Sequence, residues 1–466
     1  MGVTLGTALS YGRRPVVRQR WADELRRLVA LPTVSGSPAH RPVLEAAAAQ
    51  LCGRLQRIGL TSAQVLRAQR GAAPSVWAEW AGQPGRPTVL LYSHFDVQPA
   101  GPDQAWPLGP FSGAVRGGRV LGRGASDNKG SLVTQLAALE SYFVTAGGPP
   151  VNVRIWFEGE EEAGSPSLRR LLDVHSERFH AHCVALSDAS RPAGVDRPTL
   201  VVGLRGVLDV SVTVEGPSIS MHSGLYGGEV LDPSMVLARL VASLWGREGR
   251  VGVPGFYHDV CLPTGEDRRR LAEGRPSAQA LVEAMGGAGQ LLGECGWAVG
   301  ERSMFRPSVA VTELVAGGEG RDGRAPSAIA REASARLNFR LVPDQRPEEV
   351  ARLVRRHFAR VAPPPAKVRI EVRGGALPVV VPHRHPVVMA AARALATTWG
   401  APPVLTRNGG SIPVVAELYR RYRLPVAIWG LSSAADRIHA GGESFPLSEL
   451  FRGCEAVVRF LGQLAS

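Results

Sequence analysis

Lysine is nearly missing from this chain. Only Lys129 and Lys367 occur among 466 residues, so arginine carries almost all of the positive charge. The net charge is still +13, which invites a nucleic-acid role. The basic runs argue against one. Arg268-Arg269-Arg270 and Arg420-Arg421-Tyr422-Arg423 are short and sit on helix-like segments beside acidic or apolar residues. No zinc finger, recognition helix or ribonucleoprotein signature is present. What the charge leaves is a positive field suited to anionic substrates.

Other absences narrow the field further. No apolar run approaches the roughly 20 residues that span a bilayer. The apolar residues of the first 20 positions precede the arginines, the reverse of a secretory signal. Gly6 stands where myristoylation after Gly2 needs Ser or Thr. A cytoplasmic protein is expected, with no membrane and no nucleic acid as partner. Cys52, Cys183, Cys261, Cys295 and Cys454 are far apart, odd in number and form no C-x-x-C pair. This excludes a disulfide framework and predicts buried, reduced thiols. Residues 122–130 are glycine-rich and contain a lysine, but lack the order of a phosphate loop. A G-x-S-x-G nucleophile elbow is missing as well.

What is present is α/β alternation over a length that suits two domains. Strands are predicted at 87–97, 151–157 and 183–186, and a helix at 130–145, where Leu132, Leu136, Leu139 and Phe143 keep helical spacing. A helix start is read at 165–172. The middle of the chain reads differently. Strands at 207–214, 335–341 and 368–372 and helices at 235–245 and 347–361 suit a small α+β unit, with 315–326 as a glycine-rich surface loop. Alternation resumes after about 382, with a helix at 387–399, a strand at 425–431 and a closing helix at 447–464. The expected fold class is therefore α/β. A discontinuous domain of residues 1–205 and 384–466 has a mostly parallel sheet with helices on both faces, and residues 206–383 are inserted.

Five residues carry the chemistry. His94, Asp127, Glu162, Asp188 and His439 each lie in a short run at a strand end or loop. Two imidazoles and three carboxylates suit a pair of divalent ions sharing one bridging carboxylate. His94, Glu162 and Asp188 fall just past predicted strand ends, the edge where open α/β sheets bind ligands. Asp96, two residues beyond His94, is placed to accept the second N–H of its ring. Glu160-Glu161-Glu162 would repel one another at the mouth of a strand unless a cation is bound, which leaves one glutamate free as a base. The clusters His180-Ala181-His182 and His383-Arg384-His385 read as polar element boundaries rather than ligands.

Six runs in this order resemble the M20 metallopeptidase family, the carboxypeptidase and dipeptidase group that includes carnosinase-like enzymes. They are Ser-His-Phe-Asp-Val-Gln-Pro (93–99), Gly-Arg-Gly-Ala-Ser-Asp-Asn-Lys-Gly (122–130) and Glu-Gly-Glu-Glu-Glu-Ala-Gly-Ser (158–165). The others are Met-His-Ser-Gly-Leu-Tyr-Gly-Gly (221–228), Phe-Arg-Leu-Val-Pro-Asp-Gln (339–345) and Gly-Gly-Ser-Ile-Pro-Val (409–414). Val-Gln-Pro after Asp96 resembles the dipeptidase side of the family.

The resemblance implies a role for each position. Asp127 would bridge two ions, through a cis bond to Asn128. Glu162 and His439 would complete one ion, and His94 and Asp188 the other. The ions would be zinc, with manganese as the alternative. Glu161 would be the general base. The inserted region would be a ferredoxin-like lid and dimerisation domain. Its His222 would reach the partner subunit's active site in a homodimer and polarise the substrate carbonyl. Arg340 would grip the free carboxylate of a dipeptide or short peptide, with Gly409, Gly410 and Ser411 lining the pocket. Three departures bear on specificity. His439-Ala440-Gly441-Gly442-Glu443 replaces the family's His-x-Pro-Asn-Glu, Ser220 replaces an acid near the lid histidine, and Asn408 replaces an acid before the two glycines. They keep two rivals open: an N-acyl amino acid deacylase of the same fold, and a catalytically inactive peptide- or metabolite-binding protein.

Overall fold

A computed structural model describes residues 2–191, 195, 197–287, 289–316 and 327–465. Its centre is a nine-stranded sheet. The strand order is Gln64–Leu66, Ser75–Trp80, Asn152–Glu158, Thr88–His94, Cys183–Leu186, Val426–Gly430 and Thr199–Leu204; Val379–Val380 and Val404–Asn408 both pair with the last. The four strands from Asn152–Glu158 to Val426–Gly430 are mutually parallel. Antiparallel pairs flank them on both sides. The parallel strands are the most apolar: Val89, Leu90, Leu91 and Tyr92 are fully buried, as strands covered on both faces must be.

Register shows what covers each face. Tyr92, Leu186 and Ile428 share a row, so Trp429, one residue on, points the opposite way. Tyr92 meets Trp156 edge-on, and Trp156 packs on Phe179. On the other face Trp429 meets Phe460 of the closing helix Leu447–Leu464, which also packs on Gly130–Ala146 and Pro386–Trp399. Helices therefore cover both faces. Gly130–Ala146 ends where Gly147 turns left-handed at φ +74° and donates its N–H to Phe143 O.

A second sheet has its own core. Its antiparallel order is Ser308–Val315, Glu332–Leu341, Gly206–Glu215 and Lys367–Ala376. Gly206–Glu215 and Glu332–Leu341 bury alternate residues, and helices Pro233–Ser243 and Pro347–Val361 cover that face. Both helices start with Pro at N1, where the missing N–H costs nothing, and Asp232 caps the first through Ser234 N. The chain passes from the central sheet to this one at Arg205 and returns at Leu377-Pro378. Segment 260–305 lies within the inserted stretch, yet Leu271, Met304 and Phe305 pack into the core of the larger sheet.

Two local expectations change. All five cysteines are free, but only Cys52, Cys183 and Cys454 are buried; Cys261 and Cys295 are exposed. Both lie in irregular segments outside the sheets. The loop read at 315–326 begins later, because Val315 ends an edge strand; residues 317–326 lie outside the described residues. No helix among the described residues is long and apolar enough to cross a membrane.

Candidate active site

The site grows from the carboxyl ends of the parallel strands. His94 is the last residue of its strand and is almost fully buried. Its Nε2 lies 3.1 Å from Asp127 Oδ1 and 4.0 Å from Asp188 Oδ1. Its Nδ1 lies 3.2 Å from the main-chain carbonyl of Asp96 and 3.4 Å from the Asp96 carboxylate. The ring's hydrogen bond therefore goes to the Asp96 main-chain carbonyl rather than to the carboxylate expected to take it, whose nearer oxygen stays 3.4 Å away. The other Asp96 oxygen accepts from Glu162 N at 2.9 Å, which ties the acidic run to the histidine strand.

Asp127 stands between two groups of ligands. His94, Asp127 and Asp188 form one, and Asp127, Glu162 and His439 the other; within each, the ligand atoms lie within 4.8 Å of one another. His439 Nε2 is 3.1 Å from Asp127 Oδ2 and 3.2 Å from Glu162 Oε2. The Asp127–Asn128 peptide is cis. Asn128 Nδ2 donates to Ser187 O and Asp188 Oδ1, while its Oδ1 accepts from Ser93 Oγ, so it links two strand ends beneath the ligands. At Gly159 a Cβ would lie 2.4 Å from Pro74 O, so only glycine lets the chain turn from Glu158 into the acidic run.

The protonation states follow from crowding. Burial raises the Glu161 pKa well above the usual range, and Asp188, Glu158 and Glu162 add to it against the His94 charge. Burial and the Asp127 charge push Asp188 up to about 7. Burial alone would lower the His94 pKa, but hydrogen bonds to Asp127 and Asp96 hold it well above normal. Hydrogen bonds to Asp127 and Glu162 raise His439 to about 10. Burial works to raise Asp127, yet its two histidine partners leave it strongly lowered. Without a cation, protons neutralise this cluster. The donor set fits two divalent ions sharing Asp127: each group offers one imidazole and two carboxylates, and positive charge there removes the repulsion.

The remaining predicted residues fall into two other places. Arg340 Nη1 is 3.3 Å from Ser411 Oγ, so Arg340 and the 409–411 loop do meet. Asn408 Oδ1 accepts from Gly410 N at 3.0 Å and shapes that loop. His222 is not part of either ligand group. It sits exposed on a short antiparallel strand pair with Ala328–Ile329, its Nδ1 accepting from Gly224 N. The two discarded histidine clusters have ordinary partners: His182 Nδ1 accepts from Thr88 N, and His385 Nδ1 from Val387 N.

Sequence reasoning overlooked several supporting residues. Gln98 Nε2 donates to Glu162 O and Oε2. Glu443 accepts from Ser126 N, Asp127 N and Arg123, so the altered run after His439 still grips the Asp127 loop. Asp436 accepts from Ser433 N and Ser126 Oγ and pairs with Arg119. For Glu443 the available signal was a carboxylate following two glycines; Gln98 and Asp436 carried none.

The sequence model of peptidase family M20/M25/M40 matches residues 90–463. The chain is 29% identical over 464 residues to the Cys-Gly metallodipeptidase of Schizosaccharomyces pombe, covering 96% of each protein. Its structure is similar to that of human carnosine dipeptidase 1, with a TM-score of 0.80 at 26% identity over 99% of this chain and 98% of that one. It is also similar to the M20 family metallo-carboxypeptidase Sso-CP2 from Sulfolobus solfataricus, with a TM-score of 0.83 at 25% identity over 96% and 99%.

Proposed function

Because this chain belongs to peptidase family M20/M25/M40 and is a hydrolase of peptide bonds, we propose that it is a two-metal dipeptidase. It cuts the amide bond of a dipeptide or short peptide next to a free C-terminal carboxylate. One observation carries the reading: two ligand groups share Asp127, with Glu161 adjoining both Glu162 and the buried acids. The names of its relatives, which include a Cys-Gly metallodipeptidase and beta-Ala-His dipeptidases, support a dipeptide as substrate.

Glu162 and His439 would hold one ion, His94 and Asp188 the other, and Asp127 both; zinc or manganese suits the donors. Bound there, the ions would polarise the scissile carbonyl and acidify the attacking water. Glu161 takes that water's proton on its carboxylate and hands it to the leaving amine. Asp96 fixes the His94 ring, and its contact with Glu162 N keeps both ligand groups in register. Arg340 binds the free carboxylate with its fork, beside Gly409, Gly410 and Ser411.

The enzyme works in the cytoplasm as a homodimer. Residues 1–205 and 384–466 form the catalytic domain together with Val379–Val380 and the part of 260–305 that packs on its core, and the rest of 206–383 is the lid that carries His222 to the partner's site, where it stabilises the oxyanion. The position of His222 outside both ligand groups supports action in trans. So does the exposed edge strand Ser308–Val315, with Val311, Leu314 and Val315 uncovered. Replacing Glu161 with Gln keeps the metal and is expected to lower kcat about 10²–10⁴-fold. Full dipeptidase activity in metal-loaded E161Q would refute the mechanism.

A further inference from the structure

Arg205 is the residue through which the chain leaves the central sheet. Strand Thr199–Leu204 ends just before it, and strand Gly206–Glu215 of the second sheet starts just after it. Its main-chain N–H is shared between Asn408 O at 3.3 Å and Gly410 O at 3.2 Å. Its Nε donates to Gly409 O at 2.8 Å. Its Nη1 donates to Arg306 O and Ser308 Oγ, each at 3.3 Å. One side chain thus ties the 408–410 loop to the start of edge strand Ser308–Val315.

The same strand register brings Arg340 to this point. Arg340 lies opposite Ser308 on one side and Val207 on the other, and its Nη1 reaches Ser411 Oγ. The loop is packed tightly against Arg205: a Cβ at Gly409 would sit 3.1 Å from Arg205 Nη2 and 3.3 Å from Ser303 Cβ. Among the described residues neither guanidinium is paired with a carboxylate. Burial and, after it, the Arg340 charge push the Arg205 pKa down to about 10. Two cations side by side with no counter-charge favour an anion between or beside them.

We propose that Arg205 is a positioning residue for the anionic end of the substrate: its fork holds the Gly409–Ser411 loop against Arg340, and its charge makes that end selective for a free carboxylate. This rests on the carboxylate-adjacent peptidase reading above. Arg205 does not touch the reacting atoms. It acts through the loop and through the field at Arg340.

The test compares a dipeptide with its C-terminal amide on the metal-loaded enzyme. Wild type is expected to prefer the free carboxylate. R205K keeps the charge but breaks the fork, and R205Q keeps donors but removes the charge. Each is expected to cut the preference for dipeptide over amide about tenfold, through KM rather than kcat. Bound metal and thermal unfolding verify the fold, and either variant suffices if the other does not fold. Should neither variant be folded, R340Q in a wild-type Arg205 background with added sulfate as a competing anion decides. Sulfate inhibition that survives R340Q supports a second cation at this end, and its loss overturns the proposal. A wild type that ignores the carboxylate sinks the peptidase reading itself. A wild type that prefers the carboxylate, with folded R205K and R205Q that prefer it equally, overturns only the role of Arg205.

Discussion

Replacing Glu443 with Gln tests how Asp127, the carboxylate common to both ligand groups, is held. Glu443 is fully buried, and Arg123 is 2% exposed. One Glu443 oxygen accepts from Arg123 Nη1 at 2.7 Å; the other accepts from Ser126 N at 3.0 Å and Asp127 N at 3.1 Å. Glutamine has one acceptor oxygen for three donors. If that oxygen stays on the amides, its NH₂ confronts Arg123. If it turns, the NH₂ confronts both amides. Either way a buried group is stranded, at a cost of about 3–5 kcal/mol. Unfolding entropy of about 2.1 cal/mol/K per residue gives about 1 kcal/mol/K for a chain of this length. The melting temperature should therefore fall by about 3–5 °C if the protein unfolds as one unit.

The same change loosens Asp127, so metal affinity should fall about 10–100-fold. Thermal unfolding of the metal-free protein and chelator-competition titration measure the two effects. Burial raises the Glu443 pKa against the Asp127 amide and the Arg123 charge, so the ion pair has no advantage over an apolar pair of similar volume. The double variant R123M/E443L is thus expected to regain part of the lost stability but none of the lost metal affinity, because the two amides still lack an acceptor. An E443Q protein that melts within a degree of wild type and binds metal equally well would refute the reasoning.

Metal binding should also be strongly pH-dependent. In the metal-free protein His439 is raised to about 10, so this group stabilises the fold fully below its unfolded value near 6.5, and the contribution is lost as pH rises through about 10. Metal requires the neutral ring, so affinity should rise with pH and binding at pH 7 should release at least one proton, seen as a buffer-dependent calorimetric heat. A heat independent of the buffer's ionisation enthalpy would contradict this. Mixing inactive H222A and E161Q proteins should restore about a quarter of wild-type activity if a two-fold dimer shares its sites. No recovery after subunit exchange would place His222 in its own site or outside the chemistry.

The expected elements were legible because each depends on a local pattern. The buried parallel strand Thr88–His94 is an unbroken apolar run, and the helix Gly130–Ala146 keeps its spacing up to a glycine. Cys261 and Cys295 were misjudged because burial of a thiol depends on which core lies nearby, and a five-residue window does not contain that. The edge strand Ser308–Val315 runs on to Val315 because Ser334 lies opposite it, a partner set by the second sheet.

The sequence by itself determined the chemical stock of the candidate site: two imidazoles and three carboxylates, each in its own short run at a strand end or loop, with Glu161 beside one of them. It did so because ligand type is a property of single residues, and strand ends are properties of short windows. Tertiary structure alone decided which groups hold those ligands. Glu443 meets Asp127 N across 316 residues of chain, and Arg205 meets Gly409 across 204. An acid or an arginine can satisfy many donors or acceptors equally well. Only the folding of distant strand ends onto one edge selects the partner, so these residues became visible as parts of the site when the sheets brought them together.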